Sequence, residues 1–319
     1  IKEAGTKPQR FLAEILQNID DCKYDLDPIV DIIISNNRMT IEYNEKGFSR
    51  RNVGAITSIG DSTKKYLSED DFTGEKGIGY KSIFNVVDRV EIHSGNFHFA
   101  LTADEPTIPI ILNNQNQING TKMIFNIRNG LFDQFMNDEF ICNTCLCLKK
   151  VKKIKINDKY IKITDNHNQR QIKYDQQQHT FYRFDYQYRI DDIKLRESRY
   201  EGKKAATLQT ITYLIPLERR ATYPIYSTFP TSDYINIPII IDLSLVLNSS
   251  RESILEHNGW NESAMQKVYD GYLWMLDQLK IVDYDLMQAV LPETNHFFQN
   301  EYWNKDIIER IKDAKIFKV

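Results

Sequence analysis

Several features that would assign a function at once are missing from this chain. No stretch approaches the roughly 20 consecutive apolar residues that a bilayer-spanning helix needs, which excludes a helical membrane span. Basic residues are not in excess: 41 Lys and Arg face 44 Asp and Glu, a net charge of -3. The chain as a whole therefore has no general attraction for nucleic-acid phosphates, and direct nucleic-acid binding is not expected, although local patches remain open. The opening IKEAGTKPQR lacks the apolar core of a signal peptide and starts on Ile1 rather than Met, so it reads as a trimmed piece of a longer chain whose flanking domains are missing. No internal repeat is found. Cysteine is scarce, four residues, three of them in Cys142-Asn-Thr-Cys145-Leu-Cys147. A zinc site needs about four ligands and no nearby His completes this set. With Phe140, Ile141, Leu146 and Leu148 around them, these cysteines read as small buried residues on a helix. Free thiols fit a reducing compartment, the cytoplasm, or the nucleus in a eukaryote.

What is present is the composition of a soluble globular protein, 41% hydrophobic and 27% charged, long enough at 319 residues for two domains with separate cores. Residues 10–24 place Phe11, Leu12, Ile15, Leu16 and Ile19 at helical spacing, and Glu14, Asn18 and Asp21 follow at steps of four and three on an adjoining face. IVDIIISNNRMTIEYN reads as two strands around Asn36-Asn37, with Met39, Ile41 and Tyr43 alternating. A turn at Gly47, a Ser49 N-cap and a short helix to about Gly60 follow. A polar loop at 61–73 leads into Gly74-Glu-Lys-Gly77-Ile-Gly79-Tyr80-Lys81-Ser82, which is expected to open a helix through Ile83, Phe84 and Val86 before the next strand. Gly120-Thr121 precedes the strand TKMIFNI, and a helix is expected at about 131–149. Residues 149–162 alternate Lys with Val and Ile around Asn157-Asp158, a hairpin with one solvated lysine face. The polar stretch 164–179 is the best domain boundary. Beyond it, FYRFDYQYRI, TLQTITYLIPL and INIPIIIDLSLVL read as strands, and 262–279 and 302–316 as amphipathic helices.

A glycine-preceded helix N-terminus binds phosphate, because its unpaired N–H groups favour negative charge and glycine lets the backbone come close. Gly74, Gly77 and Gly79 supply that arrangement. The spacing is not the Walker pattern, since Tyr80 stands between the last glycine and Lys81-Ser82, and no strand leads directly in as a Rossmann turn requires. The preceding polar loop could close as a lid over a bound triphosphate. Magnesium takes hard oxygen ligands and keeps several waters, so one side-chain carbonyl plus phosphate oxygens suffices, and Asn18 fits. Glu14, one turn away, is placed to orient or deprotonate the attacking water.

These three stretches in this order resemble the GHKL superfamily of gyrase, the ninety-kilodalton heat-shock chaperone, histidine kinases and MutL. FLAEILQNIDD, YNEKGFSRRNVGAITSIGDSTKK and GEKGIGYKSIFNVVDRVEIHSGNFHF most resemble its sacsin and NO VEIN branch of chaperone-type ATPases. The resemblance covers residues 8–165 well and continues into PIYSTFPTSDYINIPIIIDLSLVLNSSRESI. It implies a Bergerat-type ATP-binding domain over 1–165, an α/β two-layer sandwich of helices on a mixed, mostly antiparallel sheet, followed by a second α/β, transducer-like domain over 175–319. It also implies that Glu14 activates water, that Asn18 holds Mg²⁺, and that Asp21 lines the pocket. Gly47, Gly74, Gly77, Gly79, Tyr80, Lys81 and Ser82 would lie around the nucleotide, and Thr121 would join the network that holds adenine. The stretch aligned with the family's Asp-x-Gly-x-Gly box is Tyr43-Asn44-Glu45-Lys46-Gly47-Phe48, without the Asp or the first glycine. Asn44 is then expected to meet the adenine amino group with its amide oxygen, or Asp21 to compensate. Arg251 is the candidate basic residue reaching the γ-phosphate from the second domain, with Arg219 and Arg220 weaker options.

The leading reading is an ATP-dependent switch: slow Mg-ATP hydrolysis, lid closure over 61–82 and reorientation of the second domain. A protein client or partner subunit would follow, a homodimer being one form. Two further readings are a non-hydrolysing interaction scaffold of the same fold, and the ATPase of a DNA-associated or antiviral defence system. A histidine kinase would need a phospho-acceptor His on a dimerising helix pair, and none of the six His has that context.

Overall fold

The computed structural model describes residues 8–57, 83–113, 116–128, 143–199, 205–217, 222–248 and 252–314. The chain divides into two compact units, residues 1–164 with 172–178, and residues 165–171 with 179–319. Both combine helices with mostly antiparallel strands, a mixed α/β architecture.

In the first unit α1 (Pro8–Asp20) buries Phe11, Leu12, Ile15, Leu16 and Ile19 completely or nearly so. Phe11 meets the ring of Phe125 edge-on at 5.2 Å. That contact lays the helix on a sheet made of β1 (Ile29–Ser35), β2 (Arg38–Tyr43), β3 (Val87–Gly95), β4 (Phe97–Thr102), β5 (Ile110–Ile111), β6 (Ile118–Ile127), β7 (Lys153–Ile156) and β8 (Lys159–Asn166). Their spatial order is β8-β7-β1-β2-β6-β3-β4-β5, antiparallel except where β1 runs parallel to β7. The β1–β2 turn holds Asn36 at φ 51° and the β7–β8 turn holds Asn157 at φ 51°, the left-handed conformation that Asn tolerates best among non-glycine residues. Short α2 (Arg50–Thr57) starts at Ser49, whose hydroxyl accepts from the Asn52 N–H at 3.3 Å.

The turn at residue 83 differs from the sequence expectation. Ile83–Asn85 is one 3₁₀ turn rather than the body of a helix, because β3 takes over at Val87. The polar stretch after residue 164, expected as the domain boundary, holds the divisions between the two units. It forms β9 (Gln169–Tyr174) and the start of β10 (Gln177–Arg189), with Ile172 and Tyr174 turned inward. Of the helix expected at 131–149, residues 131–142 lie outside the described residues. Cys145 and Cys147 beyond them are buried, and Cys142 lies outside.

The second unit is built on β10, β11 (Leu208–Pro216), β12 (Tyr223–Ser227), β13 (Phe229–Ile235) and β14 (Ile240–Asp242), in the order β13-β12-β14-β11-β10. INIPIIIDLSLVL supplies Ile235 at the end of β13 and the three residues of β14, and Pro238, without the N–H a ladder needs, stands between them. Alongside are α3 (Ile193–Arg199), the long α4 (Gly259–Val282), α5 (Tyr284–Ala289) and α6 (Ile307–Asp313). Helix α4 begins at Asn258, which accepts from the Asn261 N–H, and approaches β11 closely enough for Tyr213 to donate to the Val268 carbonyl at 2.6 Å. Among the described residues no helix is long and apolar enough to cross a membrane.

Candidate functional site

The C-terminal end of α1 meets the exit of β2. The Lys46 N–H donates to the Lys23 carbonyl at 3.1 Å, and the Cys22 thiol reaches the Asn18 carbonyl at 3.2 Å and also the Glu45 carboxylate. Glu14 and Asp21 are buried, 5% and 3% exposed, and Asn18 is half-buried at the edge of the same helix. The three groups follow one another at steps of four and three and are withdrawn from solvent to these degrees.

Asp20, between them, has a different role. Its Oδ1 accepts from the N–H groups of Lys150 and Val151 at 2.8 and 2.7 Å, and its Oδ2 from Lys149 at 2.9 Å. A carboxylate with three backbone donors is a structural clamp, joining the end of α1 to the start of β7.

The centre of the site is Glu45, which the sequence reading passed over. Its carboxylate accepts from Thr121 Oγ1, which in turn is hydrogen-bonded to Ser94 Oγ, and Ser94 accepts from the Phe48 N–H at 2.8 Å. Directions follow from proton inventory. An ionised carboxylate only accepts, so Thr121 must donate to it; Thr121 then has only lone pairs for Ser94, and Ser94 donates its single proton to Thr121. The result is a one-way chain, Phe48 N–H to Ser94 to Thr121 to Glu45, buried from Ser94 onward. Burial raises the Glu45 carboxyl above its ordinary range, against the lowering pull of hydrogen bonds from Thr121, Cys22 and the Gly47 backbone. Tyr24, whose hydroxyl donates to the Ile19 carbonyl at 2.7 Å, is held protonated by its own burial and by the nearby Cys22, Glu45 and Asp20.

Two glycines make this possible. Gly47 has φ +86° and lies against Gly95, so the chain turns directly after Glu45. Gly120 has φ +83°, and a Cβ there would stand 2.3 Å from the Tyr43 carbonyl oxygen. Only glycine lets β6 approach β2 closely enough to set Thr121 beside Glu45.

Asn44, expected at the adenine amino group, is hydrogen-bonded within the fold. Its Oδ1 accepts from the Ile29 N–H at 2.7 Å and its Nδ2 donates to the Asp27 carbonyl at 2.9 Å, which fixes the entry to β1. A signal for Glu45 was present in the sequence. The alternation of Met39, Ile41 and Tyr43 continues by one step of two to residue 45, and all four are buried. Of the other predicted residues, Gly74, Gly77, Gly79, Tyr80, Lys81, Ser82 and Arg251 lie outside the described residues.

Among the described residues no group of three or more His, Cys, Asp and Glu could hold a metal ion. A magnesium ion carried on a nucleotide needs less, one amide oxygen such as that of Asn18 beside phosphate oxygens and water, and the donor set fits that requirement.

No family model matches the chain. Over 113 residues, 35% of this chain, it is 38% identical to Protein NO VEIN of Arabidopsis thaliana, and that stretch spans 4% of the plant protein's length. The similarity is a partial kinship at the level of a superfamily.

Proposed function

We propose that the first unit is a nucleotide-binding domain of the Bergerat type that takes Mg-ATP and hydrolyses it slowly, with residues 1–165 as that domain and 175–319 as a second, transducer-like one. The observation that carries this reading is the buried Thr121–Glu45 pair at the glycine-lined junction of β2 and β6, adjoining the helix face of Glu14, Asn18 and Asp21. A buried carboxylate that ends a chain of donors is a costly arrangement for stability alone. It is a natural acceptor for an exocyclic amino group, so the adenine role assigned by resemblance to Asn44 or Asp21 passes to Glu45, with Thr121 orienting it. The scaffold reading drew its support from the missing adenine carboxylate, and Glu45 removes that ground.

In this reading Asn18 holds the magnesium ion, which would neutralise phosphate charge. Glu14 orients the water that attacks the γ-phosphate. Its low exposure keeps competing solvent away, and its place one turn before Asn18 sets the attack beside the triphosphate. Gly74, Gly77, Gly79, Tyr80, Lys81 and Ser82 enclose the phosphates beneath a closing lid, and Arg251 senses the γ-phosphate. The output is a change in the second domain's orientation that acts on a client or partner subunit, the general role of a chaperone-type ATPase.

Calorimetric titration with Mg-ATP, together with turnover measurements, tests the assignment. Glu45→Gln is expected to weaken ATP binding by roughly tenfold or more, the effect of losing a charged hydrogen-bond acceptor. Glu14→Ala should bind ATP normally while turnover falls by about 10²-fold or more. Absence of ATP binding by the wild type at millimolar nucleotide would overturn the reading, and equal turnover with Glu14→Ala would remove Glu14 as the water-orienting residue.

A further inference from the structure

The face of the first unit's sheet opposite α1 is open among the described residues, and along most of it charges are paired. Glu42 on β2 stands in register with Lys122 on β6, and the two are ion-paired at 2.7 Å. Asp31 on β1 stands in register with Lys155 on β7, at 3.9 Å. On β3, Arg89 and Glu91 pair at 3.1 Å.

One row breaks this rule. Lys153 on β7 and Lys162 on β8 occupy directly opposed positions, both exposed. On β9, the strand next to β8, Lys173 is exposed at an alternating outward position. Among the described residues none of the three makes an ion pair, and the neighbour of Lys153 on β1 is Ile29, 54% exposed, rather than an acid. Like charges opposed across a ladder destabilise the sheet that carries them. Beside the row, two residues along β8 from Lys162, Tyr160 is 63% exposed, with the Lys155 ammonium 5.9 Å from its ring centroid.

We propose that this row binds single-stranded nucleic acid: Lys153, Lys162 and Lys173 track the phosphates, and Tyr160 stacks a base. Three lysines on neighbouring strands stand about 5 Å apart from strand to strand, a positive track suited to a repeating anion. An acidic peptide would match the charge and make no use of an exposed aromatic ring, whereas every base has a face to stack. The net charge of the whole chain does not oppose this, since binding depends on the local row.

Fluorescence anisotropy with a fluorescein-labelled oligothymidine of about 15 nucleotides tests the proposal without ATP, between about 50 and 200 mM salt. Binding should weaken with salt. The double variant Lys153→Gln/Lys162→Gln should bind at least about tenfold more weakly, with the log–log salt slope reduced by about 1.4. Tyr160→Ala should lose roughly tenfold with the slope unchanged. Lys122→Gln, on the same face with its charge paired to Glu42, should bind as wild type. The proposal is overturned if the wild type does not bind at low salt, if the double variant and Tyr160→Ala both bind unchanged, or if polyglutamate displaces the probe as well as unlabelled oligothymidine does.

Discussion

The two units bury polarity in opposite ways. Every buried carboxylate among the described residues, Glu14, Asp20, Asp21 and Glu45, lies in the first unit. The second buries several phenols and the amide of Asn261, and four of these groups are aimed at backbone carbonyls. Tyr213 donates to Val268, Tyr269 to Trp303 and Tyr272 to Val290, while Asn261 donates to Val246 and Leu255. Its buried guanidiniums are engaged locally, Arg170 with Asp165, and Arg199 with Ser244 and the face of Trp260. A neutral donor facing a carbonyl closes a hydrogen-bond inventory and rigidifies a core. A buried acid does that only when donors surround it, as they surround Asp20. The contrast therefore separates a unit organised for packing from one that carries a polar site.

The sharpest way to break the comparison is Gly120→Ala. The added Cβ would meet the Tyr43 carbonyl at 2.3 Å in a backbone that also disfavours it, so a loss of about 3 kcal/mol or more is expected by chemical denaturation. In the second unit, an added Cβ at Gly271 would stand 2.5 Å from the buried Tyr213 hydroxyl and 2.7 Å from the Tyr186 ring, but in a backbone that does not itself exclude a side chain. Next is Asp20→Asn, which keeps the shape and loses the charge that three N–H groups address. About 2 kcal/mol of stability should go, and a loss as small as that of a surface substitution would remove the clamp. Tyr272→Phe leaves the Val290 carbonyl without its phenol and should cost about 1 kcal/mol while ATP binding stays unchanged. A binding defect there would spoil the division between the units.

The smallest effect expected is on pH dependence. The Glu45 carboxyl is raised in the folded state, so between its ordinary value and the raised one the folded protein holds more protons than the unfolded chain. Stability from this group is present at low pH and is lost as pH rises through that window. Glu45→Gln should flatten the profile there, and identical profiles for variant and wild type would refute the shift.

Periodicity made much of this visible in the sequence. The apolar spacing of α1 and the Asn-bearing turns of two hairpins are local properties, set by residues a few positions apart, and they can be read without a partner. Asp20 could not be read that way, since its partners lie about 130 positions along the chain and nothing near it distinguishes it from Asp21. Glu45 was hidden for another reason. The family's box is written with Asp, and Glu45 is carried inward by the strand alternation one step beyond Tyr43, where β2 ends. The 3₁₀ turn at residue 83 is set by the strand that follows at Val87, which overrides local helix propensity.

While Glu45 is ionised, the hydrogen-bond chain from Phe48 to Glu45 has one polarity, because it begins at a backbone N–H and ends on a group that only accepts. A base placed against that end must offer a hydrogen. Adenine has an amino group there, whereas guanine has a carbonyl oxygen at the same ring position, which would set acceptor against acceptor in a buried place. The pocket would then sort purines by repulsion of the wrong one as much as by attraction of the right one.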